Sequence, residues 1–328
     1  MKLGRLLCAV SRVNLLVISL FAFSTCAPAQ DSGHSGHHGR VGTAADAAAM
    51  PEQDWAKARL AKSPRHQEWV KIKNGNREVN SFVVYPEVKA KATAVVVIHE
   101  INGMTDWVQS LTDQLAEAGY VAIAPDLLSG MGPGGGGTSA FTERNAVGQA
   151  IRDLPPDQIT ADLNAVVDYV SKLPASNGKV VVGGFCWGGG QTFRYATNNP
   201  NIKAAFVFYG PTPSTAEGPD KAALERIKTP VYGFYAGNDA RINAALPKTT
   251  ELMKELGKTF DMVVYEGAGH GFMRAGEAPE PKAAEAKGDA EADKKAAEDF
   301  QKTLTAYKAN RKARDEAWVR WKMILGKI

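Results

Sequence analysis

The sequence predicts an α/β protein with a mainly parallel central sheet covered by helices on both faces. Three observations carry that expectation. Short apolar strands alternate with stretches of helical periodicity from about residue 94 to residue 265. The strands are near-continuous apolar runs, as in sheets buried on both sides. No fixed-period repeat interrupts the alternation.

In chain order, an alternating segment over 68–85 is split by Asn74-Gly75, a strong hairpin signal. Residues 94–98, Ala-Val-Val-Val-Ile, predict a fully buried strand. Residues 106–118 predict a helix with Trp107, Leu111 and Leu115 on one face. A strand over 121–124, an amphipathic helix over 157–172 and a strand over 180–182 follow. Apolar runs at 204–208, 231–235 and 262–265 continue the series. Residues 130–138 are glycine-dense but lack the Lys-Ser/Thr of a P-loop and the spacing of a dinucleotide fold. They predict a mobile loop near the mouth of a pocket. Residues 276–299 are Ala/Glu/Lys-rich and read as a solvated linker becoming helix. That helix runs on through Phe300, Leu304, Tyr307, Trp318 and Trp321, whose aromatic positions are expected to dock on the body.

The N-terminal stretch stands apart. Lys2, Arg5 and Arg12 are basic, and no acid precedes Asp31. An apolar run over 14–23 is shorter than the roughly 20 residues that span a bilayer. Ala27-Pro28-Ala29 then offers a small-x-small cleavage site. The pattern predicts a signal peptide cut near Ala29-Gln30 and a periplasmic location. An uncleaved anchor and lipid attachment at Cys26 are the alternatives. Residues 30–52 read as a flexible linker; its His34, His37 and His38 match no structural zinc spacing.

The 328 residues, 44% hydrophobic and 23% charged, have an ordinary globular composition. The net charge of +4 belongs mostly to the leader. Taking its three basic residues from the 39 Lys+Arg leaves 36 against 35 Asp+Glu. That balance gives no electrostatic case for nucleic acid or an anionic membrane. No stable membrane insertion is expected after cleavage. Of three cysteines, Cys8 and Cys26 leave with the leader. Cys186 then has no internal partner, so it is either inert core or chemically active.

Its surroundings favour activity. Gly184-Phe185-Cys186-Trp187-Gly188-Gly189 follows a strand and precedes a helical stretch. A sharp strand-to-helix turn leaves no room for side chains two residues either side of a nucleophile, and it exposes that nucleophile on a strained backbone. Such a turn places Cys186 at a helix start, where the dipole favours a thiolate. The backbone N–H of Trp187 would form half of an oxyanion hole. A buried structural cysteine in a tight turn is the plain alternative. Downstream, the order nucleophile, acid, histidine of α/β-hydrolases is met. His270 is the sole histidine after Cys186, in Gly267-Ala268-Gly269-His270-Gly271-Phe272 just past a strand. Between them Asp239 follows the strand ending at Tyr235. All three fall past the C-terminal ends of strands, where open parallel sheets place their sites.

From about residue 66 to about residue 275 the chain resembles the dienelactone hydrolase (carboxymethylenebutenolidase) family. The elbow, the Gly237-Asn238-Asp239 segment and Ala268-Gly269-His270-Gly271-Phe272 carry the resemblance. So do Ile98-His99-Glu100-Ile101-Asn102-Gly103 and the segment 116–127. The resemblance implies the α/β-hydrolase fold. It implies that Glu100 contacts the thiol and helps deprotonate it when substrate binds, and that the Ile101 N–H is the second oxyanion donor. It implies that Arg274 and Arg144 hold a substrate carboxylate, as the planar guanidinium fork suits. Trp187, Tyr209, Phe272 and Met104 are expected to line the pocket.

The expected organisation is a signal peptide over 1–29, a linker over 30–52, an α/β-hydrolase domain over 53–275, and a charged linker with a helical extension over 276–328. The expected function is hydrolysis of an ester or enol-lactone bond, in a small molecule that can carry a carboxylate, through Cys186, His270 and Asp239 and a thioester intermediate. No metal or organic cofactor is implied. The alternative is a silent or thiol-sensing binding protein on the same fold.

Overall fold

A computed structural model describes residues 53–285 and 288–328. The signal peptide and linker expected over 1–52, with His34, His37 and His38, lie outside the described residues. The sheet opens with β1 (Gln67–Asn74) and β2 (Arg77–Val84), antiparallel across a turn in which Gly75 takes φ +59°. Left-handed backbone of this kind favours glycine. Then come β3 (Ala92–Ile98), β4 (Val121–Pro125), β5 (Ser176–Phe185) and β6 (Ala205–Phe208). A two-residue antiparallel pair, β7 (Ser214–Thr215) and β8 (Gly218–Pro219), stands apart from the main sheet. β9 (Val231–Ala236) and β10 (Phe260–Tyr265) complete the strands. Their order is β1-β2-β4-β3-β5-β6-β9-β10. β2 meets β4 antiparallel, and every pairing from β4 to β10 is parallel.

The helices are α1 (Asp54–Lys62), α2 (Asp106–Glu117), α3 (Arg144–Arg152), α4 (Pro156–Ser171) and α5 (Trp187–Asn198), then α6 (Lys221–Glu225), α7 (Ala240–Asn243), α8 (Leu246–Glu255) and α9 (Ala290–Leu325). The pleat sorts them into two layers. All seven residues of β3 are buried, and alternate side chains serve opposite cores. Val96 and Ile98 join Ile159, Leu163 and Val166 of α4 and Phe193 of α5. Val95 and Val97 join Trp107, Leu111 and Leu115 of α2 and Trp321 of α9. A strand that feeds two cores must be apolar throughout, which is why its sequence does not alternate.

The helical extension expected over 276–328 docks on the sheet through its second half. Trp321 is 0% exposed, and its ring lies 4.8 Å from that of Phe208 and 6.0 Å from that of Phe185. Ala313 and Ala317 are buried near it; their small side chains let α9 close on the sheet. The second half of α9 is therefore a layer of the domain, and no boundary falls at residue 275. The first half of α9 is largely exposed.

The glycine-dense loop is tied down at Thr138. Its N–H donates to Asp126 Oδ2 at 2.7 Å, and its hydroxyl donates to Asp126 Oδ1 at 2.7 Å. The same hydroxyl oxygen accepts the Met104 N–H at 3.1 Å. Among the described residues no helix is long and apolar enough to cross a membrane.

Candidate active site

β5 ends at Phe185 and α5 begins at Trp187, leaving Cys186 alone to make the turn at φ 54°, ψ −116°. Non-glycine residues are rare there, and such strain, of order 1–3 kcal/mol, persists only where the surroundings enforce it. Here they do. A Cβ on Gly184 would lie 2.2 Å from the Gly188 carbonyl oxygen, and one on Gly188 would lie 2.3 Å from that of His99. The Cys186 N–H donates to the Phe208 carbonyl at 3.0 Å. The thiol is half-buried. Trp187 occupies the first helical position, where an N–H has no intrahelical acceptor. Close packing of Gly188 on Ile98 and His99 brings this N–H beside the turn that carries Ile101.

Asp239 follows β9 and caps α7, accepting the Ile242 N–H at 3.4 Å. His270 follows β10 in a loop where Gly267 and Gly271 take φ +73° and +81°. His270 Nδ1 meets Asp239 Oδ2 at 2.5 Å, and the Cys186 side chain is near enough to the imidazole to act on its pKa. The structure thus pairs His270 with Asp239 and brings Cys186 near the imidazole. Burial opposes a charged imidazole. The hydrogen bonds and charges of Asp239 and Cys186 outweigh it, and the His270 pKa is pushed up to about 9. Burial likewise opposes ionisation of Asp239, but the hydrogen bond and charge of His270 hold its carboxyl below the usual range.

Glu100 is 3% exposed just past β3. Its Oε2 lies 3.4 Å from Arg274 Nη1, and its Oε1 accepts the Tyr209 hydroxyl at 3.3 Å. Burial, then the charge of Glu100, pushes the Tyr209 phenol well above its ordinary value, so it stays a donor. Tyr209 is itself strained at φ 39°, with its N–H on the Phe234 carbonyl at 2.8 Å. Arg144 opens α3 and donates to Asn102 Oδ1 at 3.0 Å, beside the Glu100–Gly103 turn. Two expectations for the pocket lining change. Phe272 is 0% exposed, edge-on to Tyr209 at 5.2 Å, so it braces that ring instead of facing substrate. Tyr209 is also fully buried and contributes its hydroxyl to Glu100, not an open pocket wall.

Two residues with structural roles here were not singled out by the sequence. His99 is buried, and burial lowers its pKa, keeping it neutral. Its Nε2 accepts the Leu127 N–H at 3.3 Å, so Nδ1 carries the proton to the Glu100 carbonyl at 2.8 Å. Its ring stacks on Trp187 at 5.6 Å, coupling the turn after β3 to the elbow. Its place next to Glu100 was the available signal. Asn310 of α9 accepts the Gly269 N–H at 2.7 Å and so fastens the loop of His270. Forty-one residues separate the partners, and no local pattern marks the pair. Among the described residues no cluster of three or more His, Cys, Asp or Glu could hold a metal ion.

Comparison with known proteins agrees with this arrangement of strands. The dienelactone hydrolase family model matches residues 79–326, which takes in every site residue above and the C-terminal helix. A Methylorubrum extorquens protein named "Putative carboxymethylenebutenolidase" is 31% identical over 211 residues, covering 62% of this chain and 71% of its own. One of the same name from Saccharolobus solfataricus is 29% identical over 233 residues, covering 60% and 84%. The crystal structure named "Putative Dienelactone Hydrolase" from Klebsiella pneumoniae superimposes with a TM-score of 0.57 at 24% identity, over 74% of this chain and 98% of that one, a likeness of fold. The family model spans most of the chain, and the chain belongs to the dienelactone hydrolase family, hydrolases of esters and lactones on the α/β-hydrolase fold.

Proposed function

We propose that the protein cleaves an ester or enol-lactone bond by attack of the Cys186 sulfur, with His270 as base and acid and Asp239 holding its tautomer. The observation that supports this reading is the His270–Asp239 hydrogen bond next to Cys186, an elbow residue held at φ 54°. The raised His270 pKa keeps the imidazole protonated at neutral pH, ready to supply a proton to the leaving oxygen. The thiolate adds to the carbonyl carbon while the N–H groups of Trp187 and Ile101 receive the oxyanion. The ester C–O bond breaks, the leaving oxygen takes a proton from His270, and a thioester remains. Water, deprotonated by His270, then releases the acid and restores the sulfur.

A thiolate is expelled from the tetrahedral intermediate more readily than an ordinary alkoxide. Simple alkyl esters therefore revert, whereas enol esters and enol lactones lose a stabilised enolate and go forward. Arg274 fits a substrate carboxylate, with Arg144 as the second cation of the same turn. A carboxylate arriving at Arg274 competes with Glu100 for it. Glu100 is then released to accept the proton of Cys186, which couples activation to substrate binding. We further propose that residues 1–29 direct export to the periplasm and are cut near Ala29-Gln30, which N-terminal sequencing of the fractionated protein tests.

The deciding experiment is a panel of enol lactones, enol esters and alkyl esters on the mature protein and on Cys186→Ala. Turnover of the enol substrates that disappears in Cys186→Ala, with a thioester caught by mass spectrometry, is the expected result. Turnover retained without the sulfur would sink the proposal. Sulfenic acid at Cys186 without turnover would favour a thiol-sensing protein instead.

A further inference from the structure

α9 is 36 residues long, about 54 Å at 1.5 Å per residue, yet its buried residues all fall between Ala313 and Leu325. Its earlier turns run past the segment that carries His270 and Arg274. Thr303, Ala306, Tyr307 and Asn310 recur at i, i+3, i+4 and i+7, which is one helical face. That face, with His270, Gly271, Arg274 and Ala275, encloses a cleft of about 430 Å³. Small-molecule sites occupy roughly 300–1,000 Å³, so the cleft has room for one ring system.

The chemistry of the wall selects its ligand. Three polar groups on the helical face are already engaged. The Thr303 hydroxyl donates to the Asp299 carbonyl at 2.9 Å, and the Tyr307 hydroxyl donates to the Ala278 carbonyl at 2.9 Å. The Asn310 carbonyl accepts the Gly269 N–H at 2.7 Å. What this helix offers a ligand is the Ala306 methyl and the Tyr307 ring, fixed in place by its own hydrogen bond. An apolar, preferably aromatic, group fits. The cleft also opens on His270, whose imidazole reaches Cys186. In the acylation step the leaving oxygen must lie next to that imidazole to take its proton. The half of the ester that departs therefore lies on the cleft side.

We infer that the cleft between residues 270–275 and 303–310 is the leaving-group subsite, and that it takes the apolar ring of an acyclic aryl or enol ester. The inference rests on the thiol mechanism proposed above and specifies its substrate: the departing half is a flat, stabilised phenolate or enolate, held by Ala306 and Tyr307. The sulfur–carbon bond forms first, and the carbon–oxygen bond breaks as the tetrahedral intermediate collapses. The oxygen keeps the bonding pair and takes the His270 proton, and the neutral phenol or enol leaves through the cleft.

The test uses vinyl, phenyl and 2-naphthyl acetates, which share one acyl group. Ala306→Trp fills the cleft at an exposed helical position, and circular dichroism checks the fold. Wild-type kcat/KM is expected to be higher for the naphthyl than for the vinyl ester. Ala306→Trp is expected to lower naphthyl turnover about tenfold, mainly through KM, with the vinyl ester little changed. Equal losses on both esters, or none on either, overturn the subsite. Binding of 2-naphthol, followed by its fluorescence, separates this from the mechanism. Binding that persists in Cys186→Ala and vanishes in Ala306→Trp supports the subsite even if the sulfur proves uncatalytic. Binding indifferent to Ala306→Trp overturns it.

Discussion

The contact between Asp239 and His270 works in both directions: each group holds the other's charge against the cost of burial. Asp239→Asn removes the main source of the high imidazole pKa. The alkaline limb of the pH–rate profile, expected near pH 9 in the wild type, then moves down towards 6.5. kcat is expected to fall at least about 100-fold through loss of the correct tautomer. A profile that keeps its limb near 9 in the variant would show that Asp239 is not what raises the histidine. Glu100 stands in a different relation to its partners. It is buried with a cation on one oxygen and a phenol on the other. A buried carboxylate requires such partners, and any role in proton transfer depends on exchanging one of them.

At the scale of elements, α9 has two duties in one helix. Its second half seals the face of the sheet beneath the elbow: a Cβ on Gly183 would come 3.0 Å from the Trp321 ring. Trp321→Ala is expected to cost about 3–5 kcal/mol, read as a lower urea midpoint at unchanged m-value. A shift below about 1 kcal/mol would mean that the helix is an accessory after all. The aromatic positions pointed to docking, but how much of the helix seals the sheet was hard to read in the sequence. Only six of its thirty-six residues are buried, so the Ala/Glu/Lys composition masks the apolar face. The strands were legible because each is a local apolar run, and the hairpin because Asn74-Gly75 specifies its own turn. Cys186, Asp239 and His270 were legible for a related reason. Each follows a recognisable strand, and the elbow glycines betray close backbone packing. The pairing of Glu100 with Arg274, the brace from Asn310 and the helix α3 were not legible. The first two depend on distant parts of the chain, and only three residues of α3 are buried.

For the whole molecule, the buried His99 and the half-buried His270 pull stability in opposite directions along the pH axis. His270 has a folded pKa above its unfolded value near 6.5. Its contribution is complete below about 6.5 and is lost as pH rises through about 9. His99 has a lowered folded pKa. The unfolded chain takes up a proton that the fold refuses, so His99 destabilises as pH falls below about 6.5. Thermal midpoints are expected to peak near neutrality, and His270→Gln is expected to flatten the decline between about 6.5 and 9. An unchanged decline in that variant would assign it to other groups. The acyl and alcohol halves of a substrate would meet unlike surroundings across this fold: cations and a carboxylate at the β3 turn, methyls and a ring along α9.

Among the described residues Cys186 is the only cysteine, and it is half-exposed in a bent backbone beside an imidazole. Once residues 1–29 are removed, as proposed above, each molecule offers an electrophile one address. A single equivalent of an alkylating reagent should count working copies in a preparation, and the same solitary sulfur makes a passing oxidant as effective as any designed inhibitor.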